Sequence, residues 1–206
     1  DHNTTGVSAT KGDLLISPRR MIDYLELSHD CQIDVRTNHI KGRLVMIDTN
    51  ISDSVQLFNR KGYTTDMCCE GHYETTPGED DYYHRPFISF IVPNEKHQNV
   101  YIDAITAALK DIRTEYEGSL KQGEEDAASG HTKSVYCQQS SKYLNIVRAV
   151  DRIECSPIDN YAESRVDVIV RYDTCNINAL PSDPYETFCS LMYSVAMRVP
   201  PIKKET

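Results

Sequence analysis

The sequence predicts an α+β fold: an antiparallel or mixed sheet with helices packed on one face, built as a ferredoxin-like core with extra strands. Three observations carry this reading. Short runs rich in β-branched and aromatic residues recur at 43–48, 63–69, 87–92 and 165–172. One long segment, 97–120, has the period of an amphipathic helix, and helical and extended runs interleave along the chain. At 206 residues the chain suits a single domain, 1–206, with residues 1–12 as a flexible N-terminus.

Each element has a local reason. In the stretch from Asp13 to Thr37, Pro18 suits a helix start and Met21, Ile22, Leu25 and Leu27 form an incomplete helical stripe, which predicts a helix. Arg43–Asp48 reads as a strand, and Asn50 or Ser52 can cap the helix after it. In that helix Ile51, Val55 and Phe58 share a face, and Gly62 closes it. Tyr63–Cys69 is a strand that stops at Glu70-Gly71-His72. The acidic stretch 73–86, with Pro77 and Gly78, reads as a loop. Phe87–Val92 should pair antiparallel with the Tyr63 strand.

Tyr101, Ile105, Ala108, Leu109, Ile112 and Tyr116 form one apolar face between His97 and Leu120. Residues 118–133, rich in Gly, Ser and acids, read as an exposed loop. Ser134–Cys137, Tyr143–Val150 and Arg165–Tyr172 read as strands. Asp183-Pro184 opens a last helix through Phe188, Leu191, Met192, Val195 and Val199, and Pro200-Pro201 stops it.

Composition narrows the function. A net charge of −9 argues against nonspecific binding to nucleic-acid backbones, which needs clustered Lys and Arg. No run approaches the roughly 20 apolar residues of a membrane span. Seven cysteines, an odd number without a CxxC pair, point to a reduced, cytoplasmic setting. Thirteen tyrosines suit a binding surface, and homo-oligomer contacts explain them equally well.

The chemistry-bearing stretch is Cys68-Cys69-Glu70-Gly71-His72. Neighbouring residues of a strand point to opposite faces, so one cysteine goes to the core and the other to a pocket. Cys68 or Cys69 with His72, and His84 or an acid of the loop, would suit zinc. A cysteine activated by His72 would be a nucleophile. The binding reading uses more of the context: Cys69, Glu70, Gly71 and His72 offer backbone N–H groups and polar contacts, with Tyr82, Tyr83 and Arg85 on a closing loop for stacking and phosphate pairing. It predicts a noncatalytic protein holding a small polar or nucleotide-like ligand. No catalytic residue or cofactor is assigned. The alternative is a Cys/His- or metal-dependent enzyme acting on a nucleotide or RNA substrate, or an oligomeric interaction module.

The run from Val55 through Leu57-Phe58-Asn59-Arg60-Lys61-Gly62-Tyr63 to Cys69-Glu70-Gly71-His72, followed by Phe87–Val92, resembles a pattern in small uncharacterised proteins of bacteriophages and bacteria. It is also loosely similar to the Ser-Cys-Ser-Gly turn of the wybutosine-synthesis methyltransferase family. The first resemblance implies a setting, that of a small cytoplasmic, phage-encoded protein of a family whose function is not established, and in that setting the binding reading would mean sequestering a host defence signal. The second implies methyl transfer to tRNA.

Overall fold

The computed structural model describes residues 22–26, 44–74, 77–78, 82–92, 94–130, 133–160, 165–172 and 184–203, so the expected flexible N-terminus lies outside the described residues. In chain order these form β1 (Ile22–Glu26), β2 (Leu44–Asp48), α1 (Thr49–Arg60), β3 (Thr65–Cys69), β4 (His72–Glu74), β5 (Tyr82–His84), β6 (Phe87–Val92), α2 (Glu95–Ala128), α3 (Lys133–Val150), β7 (Ile153–Asn160), β8 (Arg165–Tyr172) and α4 (Pro184–Arg198).

The α+β class holds. Its main sheet has the order β3-β6-β8-β7, antiparallel at every pairing, and β1–β2 and β4–β5 are separate two-stranded ladders. The strands of the main sheet follow one another as β3 and β6, then two helices, then β7 and β8, whereas a ferredoxin-like core runs β-α-β-β-α-β, so the element order differs from that core while the sheet is antiparallel. The chain leaves β6 through two successive helices and returns by β7, so β8 meets β6 from the opposite direction.

One face of the sheet makes the core. Ile88 pairs with Val170 and Phe90 with Val168, and all four are fully buried. The period of two puts them on one face with Val92 and Tyr172, against Ile51, Val55 and Phe58 of α1, Ile105 and Ile112 of α2, and Phe188, Met192 and Val195 of α4. At its centre Phe58, Tyr63, Phe90 and Tyr101 contact one another through ring centroids 4.9–5.9 Å apart. Aromatic pairs at such tilts add about 0.5–1.5 kcal/mol each beyond the area they bury.

Four expectations need correction. Residues 22–26 are a strand, because a five-residue mixed stripe fits either period and the ladder with β2 decides. The loop expected at 73–86 contains the paired strands β4 and β5. The loop expected at 118–133 is helical to Ala128: Glu, Lys, Gln and Ala are good helix formers despite Gly118, and Gln122 bonds Asp126 one turn on. The strands expected at Ser134–Cys137 and Tyr143–Val150 are α3; Tyr143, Ile146, Val147 and Val150 recur at helical spacing, and Tyr143 meets Tyr116 of α2 at 5.4 Å. Strand β7 escaped notice because Pro157 breaks its pattern, yet β7 is the sheet edge, where a missing N–H is tolerated.

Burial pushes the Cys68 and Cys155 thiols up from about 9 to about 12, with Asp48 adding repulsion at Cys68, and it pushes the Tyr63 and Tyr172 hydroxyls up from 10 to about 12. The folded state therefore resists ionisation that the unfolded chain accepts. Stability from this source is complete below about pH 9 and is lost between about pH 9 and 12. The urea midpoint should stay level to about pH 9 and fall beyond it, and Cys68→Ala with Cys155→Ala should delay the onset to about pH 10, where the tyrosines begin. An unchanged onset in the double variant would contradict this assignment.

Candidate functional site

Strand β3 is the spine of the candidate site, and each of its ends builds a different feature. At the C-terminal end a bulge intervenes: Thr65 pairs with Phe90 but Cys68 with Ile88, so three steps on β3 match two on β6. Ser89 Oγ patches the interruption, accepting from the Met67 N–H at 3.1 Å and donating to the Met67 carbonyl at 3.3 Å. The extra residue keeps both Thr65 and Cys68 on the core side and places Cys69, opposite Phe87, on the other face. Of the expected division of labour between the cysteines, the core half is present: Cys68 packs against the core and its thiol stays protonated at neutral pH.

Beyond Cys69 the chain turns sharply. Glu70 is 3% exposed, and its Oε2 accepts the Asn50 N–H at 3.0 Å in the first turn of α1. Asp48, at the N-cap of α1, makes no cap bond with its own side chain; its Oδ2 accepts the Glu70 N–H at 3.0 Å. The two carboxylates thus exchange roles: the distant Glu70 supplies the acceptor the helix start needs, and the local Asp48 holds Glu70 in place. Gly71 has φ +85 and donates its N–H to Cys69 Sγ at 3.4 Å. A Cβ there would lie 2.4 Å from Tyr185 Cδ1, so the close approach made possible by glycine is filled by the Tyr185 ring.

Among the seven expected ligand contacts, then, Glu70 and Gly71 serve the fold. Cys69 lies just before the turn. His72, Tyr82 and Tyr83 are brought together in the β4–β5 ladder, where His72 faces His84, Tyr73 faces Tyr83 and Glu74 faces Tyr82 in register. Arg85 follows β5 and is exposed. Among the residues whose side chains are described, no three His, Cys, Asp or Glu groups gather as a metal-binding set.

The N-terminal end of β3 builds a groove. Lys61 Nζ donates to the Met197 and Val199 carbonyls at 2.7 and 2.8 Å, which satisfies the end of α4. Tyr63 OH donates to the Pro200 carbonyl at 2.8 Å, and the Ile202 N–H donates to the Lys61 carbonyl at 2.8 Å. These bonds hold residues 197–203 across from the first half of α2, and Tyr101 OH, donating to the Gly62 carbonyl at 3.0 Å, ties α2 to the same turn. Between the tail and α2 lies an open groove of about 760 Å3. Its floor is Val100, Ala104, Ala107 and Ile202; Lys96, His97 and Lys203 bring cationic or imidazole groups, and Asp103 and Asp111 bring carboxylates. His97 Nδ1 lies 2.9 Å from Asn94 Oδ1, an atom that only accepts, so Nδ1 is the donor of that bond.

The sequence reading did not single out these groove residues. A signal existed: Val100, Ala104 and Ala107 form a second, small-residue stripe beside the buried Tyr101–Ile105–Ala108–Ile112 stripe of the same helix.

Replacing Glu70 by Ala should leave the Asn50 N–H without this acceptor and cost about 1–3 kcal/mol in urea unfolding, with Glu70→Gln costing less because it keeps an oxygen. Gly71→Ala should cost about 2–5 kcal/mol, from left-handed backbone plus overpacking against Tyr185. Gly78→Ala, at φ +88 with nothing within 4 Å, should cost only the backbone part, about 1–2 kcal/mol. Equal losses at the two glycines would contradict the packing role of Tyr185. Comparison with protein-family models, with curated proteins and with solved structures found no match.

Proposed function

We propose that this protein is a noncatalytic binder of a small, anionic, nucleotide-like molecule, held in the groove between α2 and the 197–203 tail. The observation that carries this reading is the groove itself. Its volume, about 760 Å3, falls among the roughly 300–1,000 Å3 of small-molecule pockets. A floor of Val100, Ala104, Ala107 and Ile202 suits a flat ring. Lys96 and Lys203 suit an anionic group, and Asp103 and Asp111 suit hydroxyl or amine donors.

Two features support placing the ligand here and not at the Cys69–His72 turn. Glu70 is engaged at the start of α1, and the space at Gly71 is filled by Tyr185. The protonated state of Cys68 supports a noncatalytic role for that thiol, since the thiolate is the nucleophile.

A thermal-shift screen of nucleotides and cyclic nucleotides tests the reading. A ligand at 100 times its Kd should stabilise the protein by about 2.7 kcal/mol, or about 5–10 °C for a chain of this size. Val100→Trp, which fills the groove from an exposed position, and Lys96→Glu should each abolish the shift while His72→Ala retains it. A shift lost only in His72→Ala would move the site to the β4–β5 hairpin, and no shift with any compound would remove the binding reading.

A further inference from the structure

The groove has a direction, set by how the tail crosses α2. At one end the Arg198 guanidinium is bonded to Glu115 of α2. Toward the other, the Ile202 N–H is held by the Lys61 carbonyl, and the neighbouring Gly62 carbonyl accepts from Tyr101 OH of α2. The tail therefore runs antiparallel to α2, which brings Lys203 alongside the first turns of the helix, where Lys96 and His97 line the same groove. With a rise of about 1.5 Å per residue, Asp103 lies about 10 Å along the helix from Lys96, and Asp111 about 22 Å. The charge of the groove thus changes sign along its length. An ammonium group from each wall stands at one end, carboxylates of α2 lie beyond them, and the Arg198 charge at the far end is shared with Glu115.

On the reading that this groove is the binding site, we infer that its ligand is a guanine nucleoside monophosphate, bound with its phosphate between Lys96 and Lys203 and its base edge on Asp103. A phosphate dianion is held best by cations on more than one side, and Lys96 and Lys203 approach it from helix and tail. Val100, 44% exposed, and Ile202 then offer apolar surface to the sugar and ring. The interval from Lys96 to Asp103 matches an extended mononucleotide from phosphate to base edge, whereas Asp111 lies out of its reach. A carboxylate only accepts, through two oxygens side by side, and guanine presents two adjacent donors, N1–H and the N2 amino group. Adenine and cytosine set a ring acceptor beside their amino donor, and uracil flanks its single donor with two carbonyls. Each of these turns a lone pair toward one carboxylate oxygen. Further phosphates gain no cation: Glu95 is exposed one residue before Lys96, and Asp111 opposes a second phosphate farther along the groove.

The test is calorimetry on the full chain with guanosine, its monophosphate and triphosphate, and the monophosphates of adenosine and xanthosine. Guanosine monophosphate should bind one to one and tightest of the five. Lys96→Ala and Lys203→Ala should each weaken it about 2- to 5-fold, the worth of an exposed ion pair, and leave guanosine unchanged. Asp103→Asn should weaken both guanine compounds about 10-fold or more. The same variant should gain affinity for xanthosine monophosphate, whose N1–H and C2 carbonyl match the oxygen and amino group of Asn. Melts without ligand should be alike for the parent and these variants of exposed residues, which separates loss of a contact from loss of the fold. Binding that Val100→Trp abolishes but Asp103→Asn leaves unchanged would overturn the proposal and leave the groove as the site. Tighter binding of the triphosphate, or equal losses for guanosine and its monophosphate in the lysine variants, would do the same. No binding of any nucleotide would overturn both readings, as would dimerisation that Val100→Trp abolishes, which would assign the groove to a second copy of the chain.

Discussion

The exchange of carboxylates between Asp48 and Glu70 is the constraint on which the site end of the molecule depends. A buried carboxylate is costly unless it is bonded, and Glu70 at 3% exposure meets that condition at the start of α1. The bond joins residues twenty apart, and its counterpart from the Glu70 N–H to Asp48 joins residues twenty-two apart. Together they fasten the end of β2, the start of α1 and the end of β3 into one unit. The direction in which the chain leaves β3, and so the origin of the β4–β5 ladder, follows from that fastening and from the left-handed backbone at Gly71.

The opposite end of β3 is organised by hydrogen bonding of another kind. Residues 61–63 form a turn with Gly62 at φ +91, and its backbone and side-chain groups reach α4, the tail and α2. The long Lys61 side chain takes two carbonyls that would otherwise be left over at the end of α4. Prolines 200 and 201 then keep the tail out of the helix, because neither can continue it. The groove is a consequence of these local needs, and its floor is wide because the residues of α2 that face it are small.

Much of the core was legible from local pattern. The stripes of α1, the first half of α2 and α4, and the β6 and β8 runs each bury the residues their periods single out. The errors came where one pattern fits two structures. Tyr143, Ile146, Val147 and Val150 are β-formers by type and helical by spacing, and contact with α2 settles the matter. Residues 118–128 look like a loop by composition, yet they extend α2 beyond its last buried residue, Ile112, as part of a helical hairpin with α3. In the candidate site, the sequence located the turn but read the paired strands after it as a loop, and it credited Glu70 and Gly71 to a ligand, because the partners that occupy them, Asn50 and Tyr185, are remote in the chain.

The two adjacent cysteines mark the division between what is local and what is not. Sequence alone determined that Cys68 and Cys69 lie on opposite faces, since alternation is a property of any extended backbone. It could not determine which one enters the core. That choice belongs to the bulge between Thr65 and Cys68, where Ser89 of the neighbouring strand bonds both polar groups of Met67 and shifts the register by one residue. A shift of one residue exchanges the two faces of a strand, so the burial of Cys68 is set by pairing with β6 and by no feature of β3 itself.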